Sequence, residues 1–419
     1  MVGVLETDTY FSKTTINLRG ISMKDFILAN RLNNLEGEAA FAVLAKARAL
    51  EAKGIDIKHF EVGEPDFPTP INIKEAGKKA IDDGLTFYSP AQGYMPFREA
   101  IVDYADKFKN IKTNTDEVVV TPGGKSMIFF TLMCLVNPGD EVIYPDPGYP
   151  AYRSMIKFTG GIPVPVNLVE EKGYRFDLEE LESKISDKTK LIILNSPGNP
   201  TGGVLTPEDI DKIAELIENK DTYVFSDEIY DRLIYEGTTK SIASIPSLKD
   251  RVIVGDSFSK SYAMTGWRLG YGIMNPTLAK KMTKLQINCN SCTSTFVQVA
   301  GIEALKGPQD EVDRMRAEFM KRRDIVVSGL NDIKGFSCMK TAGAFYAFAN
   351  VKETGFESSD LADIILADSG VALLDGSSFG DNGKGYLRLS YANSEKNIYE
   401  ALNRIDMLMN RLMKNSKVG

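Results

Sequence analysis

Histidine is nearly absent: His59 is the only one in 419 residues. No catalytic or metal-binding constellation can draw on several histidines, and His59 itself sits in a strand-like run, IKHFEVG, where a structural role is expected. Cysteine is scarce as well, and four in a chain of this length do not make a disulfide framework. Cys289 and Cys292 form one C-x-x-C without a second pair or a metal-spaced histidine, so reduced thiols and no metal are expected. Long apolar runs are missing; the strongest, residues 127–136, is interrupted by Thr131 and too short for a bilayer. Glu6 and Asp8 stand where a secretory leader would be apolar, so a cytoplasmic protein with an N-terminal arm is expected. Basic residues are not in surplus either. Lys plus Arg is 50 against 57 Asp plus Glu, a net charge of −7, which argues against a general nucleic-acid binder but not against a local pocket for a small anion.

What is present is an ordinary globular composition, 43% apolar and 26% charged, in a chain long enough for two or three domains of ~150 residues. Residues 37–53 read as a helix rich in Ala, Leu and Lys, stopped by Gly54. From residue 117 short apolar runs alternate with helical patterns: EVVVT (117–121), EVIY (141–144), KLIIL (190–194), TYVFSD (222–227), RVIVG (251–255) and LGYGIM (269–274). Between two of them Thr206 caps a helix with Pro207 at its first position, and Ile210, Ile213, Ala214 and Ile217 form its apolar stripe. Apolar strands alternating with helices predict an α/β fold with a mostly parallel, helix-covered sheet. Beyond residue 305 the pattern changes to a long charged helix, AFYAFANV, a helix near 358–369, the strand YLRLSYA (386–392) and a helix capped by Ser394. That predicts a smaller α+β domain over 306–419, a large domain over 63–305, and an N-terminal arm with part of the small domain over 1–62.

Ligands of open parallel sheets sit beyond the carboxyl ends of the strands, and several polar clusters fall there. TPGGKSM (121–127) joins a strand to a helix, with two glycines that let backbone approach an anion at a helix N-terminus. It is not a Walker loop, because Val119 stands where that spacing needs glycine. Its plain alternative is a strand-to-helix turn. NSPGNPTGG (195–203) is an irregular loop that could aim Asn199 into a crevice, or a bland connection. SDEIY (226–230) places Asp227 at a strand end, as a ligand group or a helix cap. In SFSKSYAMTGWRLGYG (257–272), Lys260 lies among Ser257, Ser259 and Ser261, with Arg268 eight residues on. A buried lysine near an arginine is held as the neutral amine that imine chemistry needs, and two neighbouring cations suit a dianion such as phosphate. In YLRLSYA, Arg388 alternates with Leu387 and Leu389, and serves either an ion pair or a carboxylate fork.

Taken in order, from about Gly63 to the C-terminal helix, these segments resemble the class I aminotransferases, pyridoxal-phosphate enzymes of fold type I, nearest their bacterial aspartate/prephenate-type branch. The resemblance implies a cofactor, pyridoxal 5′-phosphate, carried as an imine on Lys260, which would also move the substrate proton. It implies that Asp227 pairs with the pyridine nitrogen, that Tyr230 and Asn199 bond the ring's 3′ oxygen, and that Tyr149 of DPGYPAY stacks on the ring. The phosphate would take backbone donors at Gly124 and Lys125, the Ser257 hydroxyl and the Arg268 fork. Gly63 of VGEPDF would leave room beside the substrate carboxylate, which Arg388 would hold. Tyr88 of FYSPAQG would reach the phosphate of the neighbouring subunit, since the family's site is shared across a homodimer.

The implied activity is ping-pong amino transfer between an L-amino acid and a 2-oxo acid. Residues 286–296 contain no arginine to read an acidic side chain. Lys125 is the candidate replacement, with acidic donors (aspartate or glutamate) as the implied class and a solvated first-turn lysine as the alternative. Other readings stay open: a lyase, decarboxylase or cyclising synthase of amino acids on the same fold, or a non-catalytic cofactor-binding regulator. The partners expected are small molecules, without nucleic acid or membrane.

Overall fold

The computed structural model describes residues 28–415; the part of the N-terminal arm in residues 1–27 lies outside them. The apolar runs form one eight-stranded sheet. Its spatial order is Val118–Thr121, Gly270–Ile273, Val252–Ser257, Tyr223–Asp227, Thr189–Asn195, Glu141–Asp146, Ile162–Val169 and Arg175–Phe176. The five strands from Val252–Ser257 to Ile162–Val169 are mutually parallel, and the remaining pairings are antiparallel. Val, Ile and Leu dominate the central strands because helices cover both faces, leaving no polar side to the pleat. Thr206 caps the helix Pro207–Ile217 as expected, and Ile210, Ile213, Ala214 and Ile217 are buried against the sheet.

One full strand, Ile162–Val169, was not foreseen, because IPVPVNLV carries two prolines. Its pairing explains why they are tolerated. The Ile162 N–H donates toward the neighbouring parallel strand, to the Asp140 carbonyl. Alternation then points the Pro163 and Pro165 nitrogens to the outer side, where Arg175–Phe176 covers only Leu168 and Val169. No ladder donor is lost there.

The later part of the chain builds a four-stranded antiparallel sheet in the order Ser337–Cys338, Tyr346–Asn350, Tyr386–Ser390, Leu374–Asp375. Helices Asp310–Asp332, Ser358–Ser369 and Glu395–Asn415 pack with it. Helix Ala39–Glu51 joins this part through Ala47, which is buried with Ile57, Leu366 and Ala372. Lys58–His59 pairs in parallel with Val371–Ala372. His59 is structural: its ring bonds Glu61 at 2.7 Å and Glu51 at 3.1 Å. Among the described residues no helix is long and apolar enough to cross a membrane.

Beneath the carboxyl ends of the parallel strands lies a buried ion cluster. Lys109, at the end of helix Met95–Lys109, reaches Asp231 at 2.6 Å, Glu228 at 2.9 Å and Asp256 at 3.0 Å. Burial opposes the ammonium, but the three carboxylates outweigh it and hold its pKa well above the ordinary lysine value. Ser226 and Ser241 donate to Glu228, and Tyr271 donates to Asp256. Burial still pushes the Asp256 carboxyl up to about 7. Because Glu228 and Asp256 adjoin Asp227 and Ser257 in sequence, this cluster fixes two strand ends. Lys109→Met should cost about 3–5 kcal/mol, the penalty for leaving buried carboxylates without their cation. A urea titration should show the deficit, and it should be smaller at pH 5 than at pH 8, because protonation then neutralises the orphaned acids.

Candidate active site

A cavity of about 390 Å³ opens where the parallel strands end. The large sheet, the start of helix Ala39–Glu51 and strand Tyr386–Ser390 all contribute to its wall. All the residues singled out from the sequence line it except Tyr88. Tyr88 is 88% exposed and lies away from its own chain's cavity.

Lys260 stands in the turn Phe258–Ser261, directly after strand Val252–Ser257. Its Nζ donates to the Gly63 carbonyl at 2.5 Å. Burial lowers its pKa to about 8; Glu64 opposes the shift, and Arg388, Arg268 and Lys125 add to it. A neutral amine is therefore accessible near physiological pH.

Asp227 closes strand Tyr223–Asp227. Tyr152 donates to one carboxylate oxygen at 2.6 Å, while Oδ1 is buried without a partner among the described residues. Burial raises this carboxyl to about 6, with the Tyr152 bond pulling the other way. Asn195 steadies the neighbouring loop: its side chain donates to the Asp227 carbonyl and accepts from the Asn199 N–H at 2.9 Å. Tyr230 shares a 2.7 Å hydrogen bond with Tyr346.

The anion end is built from the TPGGKSM turn. Gly123, at φ +90°, precedes helix Gly124–Leu135, and a Cβ on Gly123 would lie 2.4 Å from the Arg268 guanidinium. Only glycine admits both the left-handed backbone and that approach. Free N–H groups of the helix start, the Ser257 hydroxyl and Arg268 thus converge on one spot. Arg268 is held there by a 2.7 Å bond to the Thr265 carbonyl.

Arg388 is buried at the opposite end of the cavity, its guanidinium stacked over Tyr346 at 4.7 Å and Phe379 at 5.1 Å. It contacts the Glu61 carbonyl and, at 3.4 Å, Asn199 Oδ1, while its Nε has no partner. Gly63 lies close by; a Cβ there would meet the Tyr346 hydroxyl at 2.2 Å.

A family profile described as aminotransferase class I and II matches residues 55–405. The chain belongs to the class I and II aminotransferases. It is 39% identical over 388 residues to an aspartate aminotransferase of Sulfolobus acidocaldarius, covering 91% of this chain and 97% of that one. It is 39% identical to a probable aspartate/prephenate aminotransferase of Aquifex aeolicus, over 90% of this chain and 97% of the other. Among solved structures, aspartate aminotransferase from Thermus thermophilus with maleate superposes with a TM-score of 0.88 at 34% identity, covering 91% of this chain and 99% of that one. The chain is a transaminase of a pyridoxal-phosphate-dependent family, and its two-part architecture is that of its aminotransferase neighbours.

Among the wall residues of this aminotransferase that escaped the sequence reading are Tyr152, Asn195, Tyr346 and Glu38. Tyr152 follows Tyr149 by one short helical step in DPGYPAY and so had a local pattern, whereas Tyr346 lies in AFYAF, where every position is buried and nothing singles it out. Glu38 had none. Lys125 also differs from expectation: its ammonium is not free but paired with Glu38, beneath which Tyr149 donates to the same carboxylate oxygen at 3.1 Å.

The lowered Lys260 pKa has a direct readout. Uptake of pyridoxal phosphate by the cofactor-free chain should quicken as pH rises, with a midpoint near 8. A midpoint near the ordinary lysine value, ~10.4, would show that the amine is not desolvated.

Proposed function

We propose that the aminotransferase binds pyridoxal 5′-phosphate in this cavity and moves an amino group between an L-amino acid and a 2-oxo acid in a ping-pong cycle. The observation that carries the proposal is the unpartnered buried Asp227 Oδ1, aligned in one cavity with the depressed Lys260 amine and the Gly123–Arg268 anion cradle. That donor set fits a phosphorylated pyridine aldehyde: an acceptor for the ring N–H, an amine for the carbonyl, a cradle for the dianion. When bound, the cofactor supplies the electron sink for breaking a bond at the substrate Cα.

The chain's residues do the rest. Arg268, Ser257 and the backbone N–H groups of Gly124 and Lys125 hold the phosphate. Asp227, kept in place by Tyr152, holds the proton on the ring nitrogen. Tyr149 covers one ring face, and Tyr230 with Asn199 holds the 3′ oxygen. Arg388 forks the substrate α-carboxylate, whose arrival supplies the partner that its Nε lacks. Lys260 anchors the cofactor and then carries the proton at Cα. On this reading residues 63–305 carry the cofactor, while 1–62 with 306–419 cover the substrate. Tyr88 serves the phosphate of a second subunit in a cytoplasmic homodimer. Relatives named for aspartate support an acidic donor; the pairing of Lys125 with Glu38 weighs against it.

A single-turnover experiment tests the reading. Loaded enzyme mixed with an L-amino acid alone should convert its cofactor stoichiometrically to the amine form and release one equivalent of 2-oxo acid. Continuous release of ammonia or carbon dioxide would instead mark a lyase or decarboxylase. Arg388→Lys should weaken all L-amino acids by roughly the worth of one charge-assisted bond, ~1.5–3 kcal/mol, and leave decarboxylated amines nearly unchanged. Equal losses for both would make Arg388 structural.

A further inference from the structure

Among the described residues four cations face the cavity: Lys260, Arg268, Arg388 and Lys125. On the function proposed above, the first three are committed to the cofactor carbonyl, the phosphate and the α-carboxylate. Lys125 is the one left to read a side chain, and it is already engaged. Glu38 Oε1 bonds the Lys125 ammonium and accepts from the Tyr149 hydroxyl. The ammonium also lies 5.6 Å from the Tyr149 ring centre.

The placement of Glu38 is built in. It occupies the cap position before helix Ala39–Glu51. Two residues earlier, Glu36 straps the segment to helix Pro150–Phe158, pairing with Arg153 at 2.8 Å and Lys157 at 2.7 Å, while its N–H donates to Ser154 at 3.0 Å. Three bonds to one helix fix where the Glu38 carboxylate can lie.

We propose that Glu38 determines substrate class: by occupying Lys125 from within the chain, it sets the pocket for amino acids with neutral side chains and disfavours aspartate and glutamate. An incoming side-chain carboxylate meets a second carboxylate already bonded to the ammonium it needs. It must displace Glu38 or share one cation between two anions, and repulsion between like charges opposes either outcome, screened in part because the Lys125 side chain is half exposed. A neutral side chain meets a self-compensated pair and the apolar wall of Ala39, Ala40 and Ile128. The proposal rests on the transaminase reading for its substrates but not for its binding test.

That test compares succinate with butyrate, which share one carboxylate and differ in the second. Dissociation constants are read from the absorbance of the bound cofactor in the loaded enzyme. The wild type should bind butyrate at least as tightly as succinate. Glu38→Gln should tighten succinate by roughly twofold to fivefold, the worth of an ion pair with a half-exposed cation, with little change for butyrate. Adding Lys125→Met to Glu38→Gln should erase that gain. The ratio of kcat/KM for aspartate to that for alanine should rise in step. Wild type that prefers succinate, or a Glu38→Gln enzyme that binds it no better, overturns the proposal. If Glu38→Gln does not fold, the wild-type preference decides alone. If no amino acid converts the cofactor in any variant, the transaminase reading fails, while the succinate–butyrate comparison still decides the role of Glu38.

Discussion

The site depends on sheltering two of its cations, Lys260 and Arg388, without giving them a counter-charge. Lys260 is half-buried and Arg388 is buried, and among the described residues neither has a carboxylate as its direct partner: one donates to the Gly63 carbonyl, the other contacts the Glu61 carbonyl and aromatic faces. A charge taken out of water without a counter-charge is costly. The protein meets that cost in two ways. At Lys260 it lets the amine give up its proton more easily. At Arg388, which cannot deprotonate, it stacks the guanidinium on Tyr346 and Phe379 and leaves Nε without a partner among the described residues. On the proposed function, each ligand would bring the partner that these groups lack.

The surroundings make this tolerable. The Lys109 cluster gathers three carboxylates beneath strand ends 227 and 256, giving the sheet's carboxyl edge a rigid base on which Asp227 and Ser257 are carried. Asp227 is then tuned by Tyr152, whose hydroxyl satisfies one oxygen and leaves the other without a partner among the described residues, as the proposed contact with a ring nitrogen requires. Position and protonation share neighbours: Tyr152 both holds the carboxyl and lowers its pKa, while Glu228 of the cluster helps to raise it.

Much of this was legible before the fold was known. The central strands are continuous Val and Ile runs because both sheet faces are covered, and that pattern survives in sequence. The loops after them carry glycine and proline where backbone must approach an anion, which is why Gly124, Asn199, Asp227 and Lys260 could be named from short motifs. The strand Ile162–Val169 was hidden because prolines usually forbid ladder pairing, and only the register shows that their nitrogens face the open side. Glu38 was invisible for a different reason. Its place in the pocket comes from the Glu36 strap to Arg153 and Lys157, contacts between segments more than a hundred residues apart. Motifs therefore report the chemistry shared with relatives, whereas the pairing that separates one donor class from another lies in tertiary contacts.

Reductive trapping tests the central claim most directly. The loaded enzyme is treated with borohydride, digested and mapped for the pyridoxyl group. The account predicts one labelled peptide, spanning SFSKSYAMTGWR, with the label on Lys260 and none on Lys125. A pyridoxyl group on any other lysine, or none after reduction of fully loaded enzyme, would contradict it.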